Sequence, residues 1–337
     1  MRKLLQFLLR KPLTWMANAL ASSPKKEMVY RSLSKLYRRS ATENNKHLKV
    51  IHTDLTTAKF IILSDQHKGN KSWADDFSSN EKNYIAALEY YNEQQYSFIN
   101  LGDCEELWKF SAKEIIEANA KSLEAEKAFQ PLRYFKTFGN HDLIWKNKID
   151  VDLLLKDVFL LPLPVYEGIV LKNKNTEIPL NIFLTHGHQG DLMSDNNALS
   201  TWIVAHIWMP MQRYLRININ TPSDDYSLRN KHNKMMYDWS SRRKNLILIT
   251  GHTHRPVFAS GKYYKGPSNK IPLEKPTHLV KPSYFNTGCC CYNDGDITGI
   301  EIADGFIRLV KWYNEEIKPE RRVLEEIEIS KLQKEIA

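Results

Sequence analysis

Five short apolar runs, each ending in polar residues able to bind a cation, set the rhythm of the chain. Phe60-Ile61-Ile62-Leu63-Ser64 leads into Asp65-Gln66-His67, and Tyr96-Ser97-Phe98-Ile99-Asn100-Leu101 leads into Gly102-Asp103. Tyr134-Phe135-Lys136-Thr137-Phe138 leads into Gly139-Asn140-His141-Asp142, and Leu180-Asn181-Ile182-Phe183-Leu184-Thr185 into His186-Gly187-His188. The last run, Leu246-Ile247-Leu248-Ile249-Thr250, leads into Gly251-His252-Thr253-His254-Arg255-Pro256. Apolar runs this short predict buried strands. Between them the spacing becomes helical. Residues 80–94 place Tyr84, Ala87, Leu88 and Tyr91 on one face, residues 105–129 predict one or two helices, and residues 143–157 are helical again. Strand and helix in alternation predict a layered α/β fold whose strand ends gather along one sheet edge.

The remaining segments are less regular. Residues 1–20 predict an amphipathic helix, with Leu4, Leu5, Phe7, Leu8 and Leu9 opposite Arg2, Lys3, Gln6 and Arg10, limited by Pro12. Ser23-Pro24 suits the start of a second helix carrying Val29, Leu33 and Leu36 at helical spacing. Residues 165–172 predict an edge hairpin, and residues 261–281, rich in Pro, Gly and Lys, a long loop. Residues 198–245 exceed what a crossover needs and predict a helical insertion. It is either a lid over the strand ends or a helical hairpin completing the core. Residues 299–302 and 306–312 predict a hairpin about Asp304-Gly305. Residues 319–336 predict a charged amphipathic helix through Val323, Leu324, Ile327, Leu332 and Ile336. The expected organisation is a helical arm over 1–46, a main domain over 47–313 and a C-terminal helix over 314–337.

Charge changes the picture at one end only. The net charge is +9, and residues 1–46 hold eleven Lys or Arg against Glu27 and Glu43, so the excess lies wholly in the arm. Gln6 and Arg10-Lys11 interrupt its apolar stretch, which disfavours a secretory signal. Two readings stand: an anchor on an anionic membrane surface, or helices packed on the domain with a solvated basic face. No stretch of about 18 apolar residues exists to span a bilayer. Of four cysteines, three are consecutive (Cys289, Cys290, Cys291), which is no disulfide framework; a reducing compartment, the cytoplasm, is expected. These three are expected to be small buried strand residues.

The run ends then specify chemistry. Asp65, His67, Asp103, Asn140, His186, His252 and His254 offer oxygen and nitrogen donors without thiolate, a set suited to manganese, iron or zinc. Seven donors exceed one mononuclear site with room for substrate. Two cations about 3.5–4 Å apart, sharing one carboxylate, would use them all. A single histidine at a strand end is usually structural, but six of the eleven histidines stand in these motifs.

In order, Asp-x-His, Gly-Asp, Gly-Asn-His-Asp, His-Gly-His and Gly-His-x-His resemble the motifs of the calcineurin-like metallophosphoesterase superfamily, over residues 59–312. The resemblance implies a four-layer αββα sandwich in which residues 283–288 close the second sheet. It implies Asp65, His67 and His254 around one divalent cation and Asn140, His186 and His252 around another, with Asp103 bridging. A hydroxide between the ions would attack phosphorus in line. His141 is implied as the histidine that stabilises the transition state and protonates the leaving oxygen, with Asp142 holding its tautomer. His188 and Arg255 are candidate substrate contacts; their alternatives are a structural histidine and a salt bridge at the loop base. Gly102-Asp103-x-x-Glu106-x-Trp108 and the Gly251 to Pro256 motif are similar to those of UDP-2,3-diacylglucosamine hydrolases, which implies a nucleotide-sugar or lipid-linked substrate at a membrane. Two other functions stay open: a nuclease holding phosphate backbone with the basic arm, and a non-catalytic scaffold.

Overall fold

The computed structural model describes residues 25–42, 45–159, 161–174, 177, 179–190, 226–259, 281–315 and 318–337. In chain order these form α1 (Lys26–Arg38), β1 (Leu48–Thr53), β2 (Phe60–Leu63), α2 (Glu81–Glu93) and β3 (Ser97–Leu101). Next come α3 (Ala112–Ala118), α4 (Ala120–Lys127), β4 (Tyr134–Thr137), α5 (Lys148–Leu154), β5 (Val165–Tyr166), β6 (Gly168–Asn173) and β7 (Asn181–Thr185). The chain continues through α6 (Tyr226–Ser240), β8 (Leu246–Thr250), β9 (Tyr284–Asn286), β10 (Ile297–Ala303), β11 (Phe306–Glu315), β12 (Lys318–Glu328) and α7 (Ile329–Ile336). Two sheets result, ordered β1-β6-β7-β8-β9 and β12-β11-β10-β2-β3-β4-β5.

Side chains alternate along a strand, so each apolar run supplies two cores at once. Phe60 and Ile62 of β2, Ile99 and Leu101 of β3, Ile182 and Leu184 of β7, and Ile247 and Ile249 of β8 meet between the sheets. Their neighbours face outward. Ile61, Leu63 and Phe98 pack beneath Tyr84 and Leu88 of α2 and Leu123 of α4. On the far sheet Phe183, Leu246 and Leu248 pack beneath Val29, Leu33 and Leu36 of α1 and Met235, Met236 and Trp239 of α6. Helix, sheet, sheet, helix: this is the expected αββα sandwich.

Helix α1 therefore packs on the body with its apolar stripe buried, and starts behind Lys25, which makes no side-chain cap. The described end of the insertion, α6, likewise completes the outer core; the rest of 198–225, the helix expected over 1–20, the Ser23-Pro24 start and most of the loop over 261–281 lie outside the described residues. Among the described residues no helix is long and apolar enough to cross a membrane.

Two expectations are corrected. Residues 165–172 are not a hairpin, because β5 ends the seven-stranded sheet while β6 lies inside the other. One residue, Glu167, separates them, too few for a reversing turn, so the chain steps from sheet to sheet. Residues 319–336 are not one helix: β12 pairs antiparallel with β11, and only α7 is helical. The Glu- and Arg-rich stretch favours a helix locally. Pairing wins because it sets Arg308 opposite Glu326, bonded at 3.0 Å, and lays the Arg321 guanidinium 2.8 Å from buried Glu301.

Candidate metal centre

Strands β2, β3 and β4 run parallel and adjacent, so the loops after them emerge along one edge. β7 and β8, also parallel, open their loops toward the same place. The loops are stitched together by backbone bonds. Asp65 N–H donates to Gly102 O at 3.1 Å, His67 N–H to Asp103 O at 3.0 Å, and Gly251 N–H to His186 O at 2.9 Å. The seam between the sheets is crossed too: His252 N–H donates to the Asp65 carboxylate at 2.9 Å. Asp65, His67, Asp103, His252 and His254 all hold positive φ, between 50° and 69°. Left-handed backbone is unfavourable for such residues, and it concentrates where a site needs special geometry. The motif glycines make room: a Cβ at Gly139 would collide with the Asp103 carboxylate, and one at Gly251 with that of Asp65.

The imidazoles are aimed by what their Nδ1 atoms touch. His186 Nδ1 lies 3.0 Å from the Leu101 carbonyl oxygen, which can only accept, so this nitrogen carries the proton. His67 Nδ1 lies 3.0 Å from Glu106, and His254 Nδ1 lies 3.6 Å from the Cys291 sulfur. Each Nε2 is thereby turned inward. His67 Nε2 and His254 Nε2 are 3.1 Å apart, and His254 Nε2 is 3.2 Å from Asp65 Oδ1. His186 Nε2 is 3.0 Å from Asp103 Oδ2, which is 3.8 Å from His67 Nε2. Ligand atoms of Asp103, His186 and His252 cluster, as do those of His67, His254 and Cys291. Asn140 Oδ1 is buried at the same edge with no hydrogen-bond donor. Two facing imidazole nitrogens, two carboxylates and an orphaned amide oxygen fit divalent cations.

Electrostatics agree. Burial alone would raise Asp103 and Asp65, but the adjacent histidines hold both below the usual carboxylate range. Burial alone would lower His186 and His254, yet Asp103 beside the first and Asp65 beside the second push each up to about 9. In metal-free protein, protons supply the positive charge that the carboxylates demand. The stability tied to these two groups is complete below the ~6.5 of an unfolded histidine. It is lost as pH rises through about 9. Chelator-treated protein should therefore lose melting temperature across that window, and manganese-loaded protein should not; scanning calorimetry with and without the metal checks this.

One implied role is corrected. Asp142 does not hold His141: its carboxylate turns back into its own loop, accepting from Gly139 N–H at 2.6 Å and Cys104 N–H at 2.8 Å. Burial, then Glu105 and Asp103, push it up to about 6. Glu106 takes the expected place. Its Oε1 lies 2.9 Å from His141 Nδ1 while its Oε2 meets His67 Nδ1, so one buried carboxylate tethers both imidazoles. Burial lowers His141, but Glu106 and then Asp103 outweigh it and the net shift is upward. Trp108 stacks on the His141 ring with centroids 3.9 Å apart. His188 and Arg255 are both buried, His188 against the rings of His186 and Phe138. The three cysteines sit in the loop after β9 rather than in a strand; Cys289 and Cys290 are buried, while half-buried Cys291 lies against His254 at the site. Beneath the β3 and β4 loops, Lys136 and Lys68 are buried with Glu105 and Glu126, fixing the segment that carries Asp103 and Glu106.

A model of the calcineurin-like phosphoesterase family matches residues 58–256, more than half of the chain. The chain belongs to that family of metal-dependent phosphoesterases. Among curated proteins, none matches it closely enough to count as a relative. Similar solved structures include Vacuolar Protein Sorting 29 from Cryptosporidium parvum, at 13% identity and TM-score 0.34, covering 80% of this chain and 98% of that one. A dimetal phosphatase from Danio rerio is 9% identical with TM-score 0.39, covering 81% and 99%. Likeness of this order adds nothing to what the geometry itself shows.

Proposed function

We propose that the protein hydrolyses a phosphate ester or pyrophosphate using two divalent cations, manganese first among them. Asp65, His67 and His254 would hold one, Asn140, His186 and His252 the other, and Asp103 would serve both. When bound, the cations neutralise charge developing on the phosphoryl oxygens and acidify water. The chain's own residues do the rest. Asp103 Oδ1 also accepts the His141 N–H at 2.8 Å, which fixes the loop that presents the His141 imidazole. Glu106 keeps the proton on His141 Nδ1 and Trp108 covers one ring face, leaving Nε2 to deliver a proton to the leaving oxygen.

The observation that carries this reading is the convergence of Nε2 atoms from both sheets on the Asp65 and Asp103 carboxylates. The finer assignment, a membrane-associated nucleotide sugar or lipid phosphate, draws on the basic excess of residues 1–46 and on Glu106 and Trp108 at their spacing from Asp103. The test is a rate comparison, with manganese and with chelator, on aryl phosphomonoesters, diesters and nucleotide-sugar pyrophosphates. Equal, negligible rates throughout would return the chain to a scaffold. Co-sedimentation with anionic liposomes, with and without residues 1–46, tests the surface.

A further inference from the structure

Helix α6 lies outside all five motifs, yet two consecutive residues on it reach the loops that carry the second ligand set. The buried His232 imidazole places Nε2 2.7 Å from the carbonyl oxygen of Gly187, the residue between His186 and His188. A carbonyl only accepts, so Nε2 carries the proton. The His232 ring meets that of His252 edge-on at 5.2 Å, and His252 meets His186 in the same manner at 5.2 Å. Next to it, Asn233 Oδ1 accepts from Thr253 Oγ1 at 3.1 Å and from the Tyr284 hydroxyl at 2.8 Å, holding the residue between His252 and His254. One helix thus grips loops from two different strands. The helix is itself fixed: Trp239 Nε1 donates to Ser34 Oγ of α1 at 3.0 Å.

We infer that α6 is a positioning element for the second cation, and that His232 sets His186 at the right spacing from His252. The inference rests on the dinuclear reading above. His186 and His252 must approach one point to within a few tenths of an ångström. The loop behind His186 turns through Gly187 at φ +116°, a conformation glycine enters and leaves freely. Without a tether on the Gly187 carbonyl, that loop has other places to go. Hydrogen-bond partners of metal ligands typically contribute roughly 10–100-fold in affinity, and His232 acts on the residue next to one. Linkage makes the coupling reciprocal, so loading the site tightens α6 on the loops.

The experiment titrates manganese into metal-free full-length protein as wild type, His232→Gln and His232→Leu, by calorimetry and by the resonance signal of a spin-coupled pair. Hydrogen exchange of residues 231–240 is followed in parallel. Gln keeps an N–H donor at similar reach, whereas Leu keeps only bulk. Wild type and Gln should bind two ions; Leu should keep the first at unchanged affinity and bind the second roughly 10–100-fold more weakly. Exchange in α6 should slow on loading in wild type and not in Leu. Leu binding both ions as wild type does would overturn the inference, as would Gln and Leu losing the second ion alike, or Leu weakening both sites equally. Wild type that takes up no pair of ions overturns the dinuclear reading and this inference with it, a failure visible before any variant is compared.

Discussion

Asp103→Asn should lower manganese-dependent hydrolysis of an aryl phosphodiester by about 10³-fold or more, which corresponds to ~4 kcal/mol of lost transition-state stabilisation. Asparagine keeps the size of the side chain and can still accept the His141 N–H through its amide oxygen. It removes the full negative charge that reaches His186 of one sheet and His67 of the other. Loss of the shared ligand proposed here would weaken both cation sites, so the effect should exceed that of any single histidine. Calorimetric titration with manganese should show both ions bound more weakly. A second consequence needs no substrate. Asp103 is first among the groups raising His186, so the metal-free variant should lose its His186-linked stability at lower pH than wild type. Undiminished turnover in a variant with a normal circular dichroism spectrum would remove Asp103 from the mechanism.

What the sequence disclosed follows from how parallel strands work. Runs such as residues 246–249 are apolar throughout because both faces are buried, and their ends emerge together because the strands are parallel. The meeting of Asp65, His67, Asp103, His186 and His254 at one edge could thus be expected without coordinates. Partner choice could not. Asp142 stands beside His141 in the chain, but its carboxylate closes its own loop, while Glu106 arrives from 35 positions away because Lys136, Glu105 and Trp145 fix the segment after β3. The spacing Asp103-x-x-Glu106 was visible; the direction in which Glu106 points was not. His232 carried still less signal, since a histidine on a helix looks like any other until the loops beside it are placed. Strand β12 fails differently. Its residues favour a helix in isolation, and only register with β11 and the buried Glu301 reverses that preference.

Substitution of His141 should separate substrates by their leaving group. An alkyl phosphate ester departs as a strong base and needs a proton, so His141→Asn should reduce its hydrolysis by roughly 10²–10⁴-fold. A p-nitrophenyl ester departs as a stabilised anion and should lose far less. Glu106→Gln then tests what governs the proton. A general acid works while protonated, so activity on the alkyl ester falls as pH rises through the His141 pKa. Glu106 is the leading group holding that pKa up against burial, and removing its charge should move the basic limb of the pH profile to lower pH. The same change releases His67 Nδ1, so rates must be compared at saturating manganese. Asp142→Asn should leave the limb in place, because its carboxylate touches Gly139 and Cys104 rather than His141. Were Asp142→Asn to shift the limb and Glu106→Gln to leave it unmoved, proton control would belong to the neighbour in sequence and the tether drawn here would be wrong.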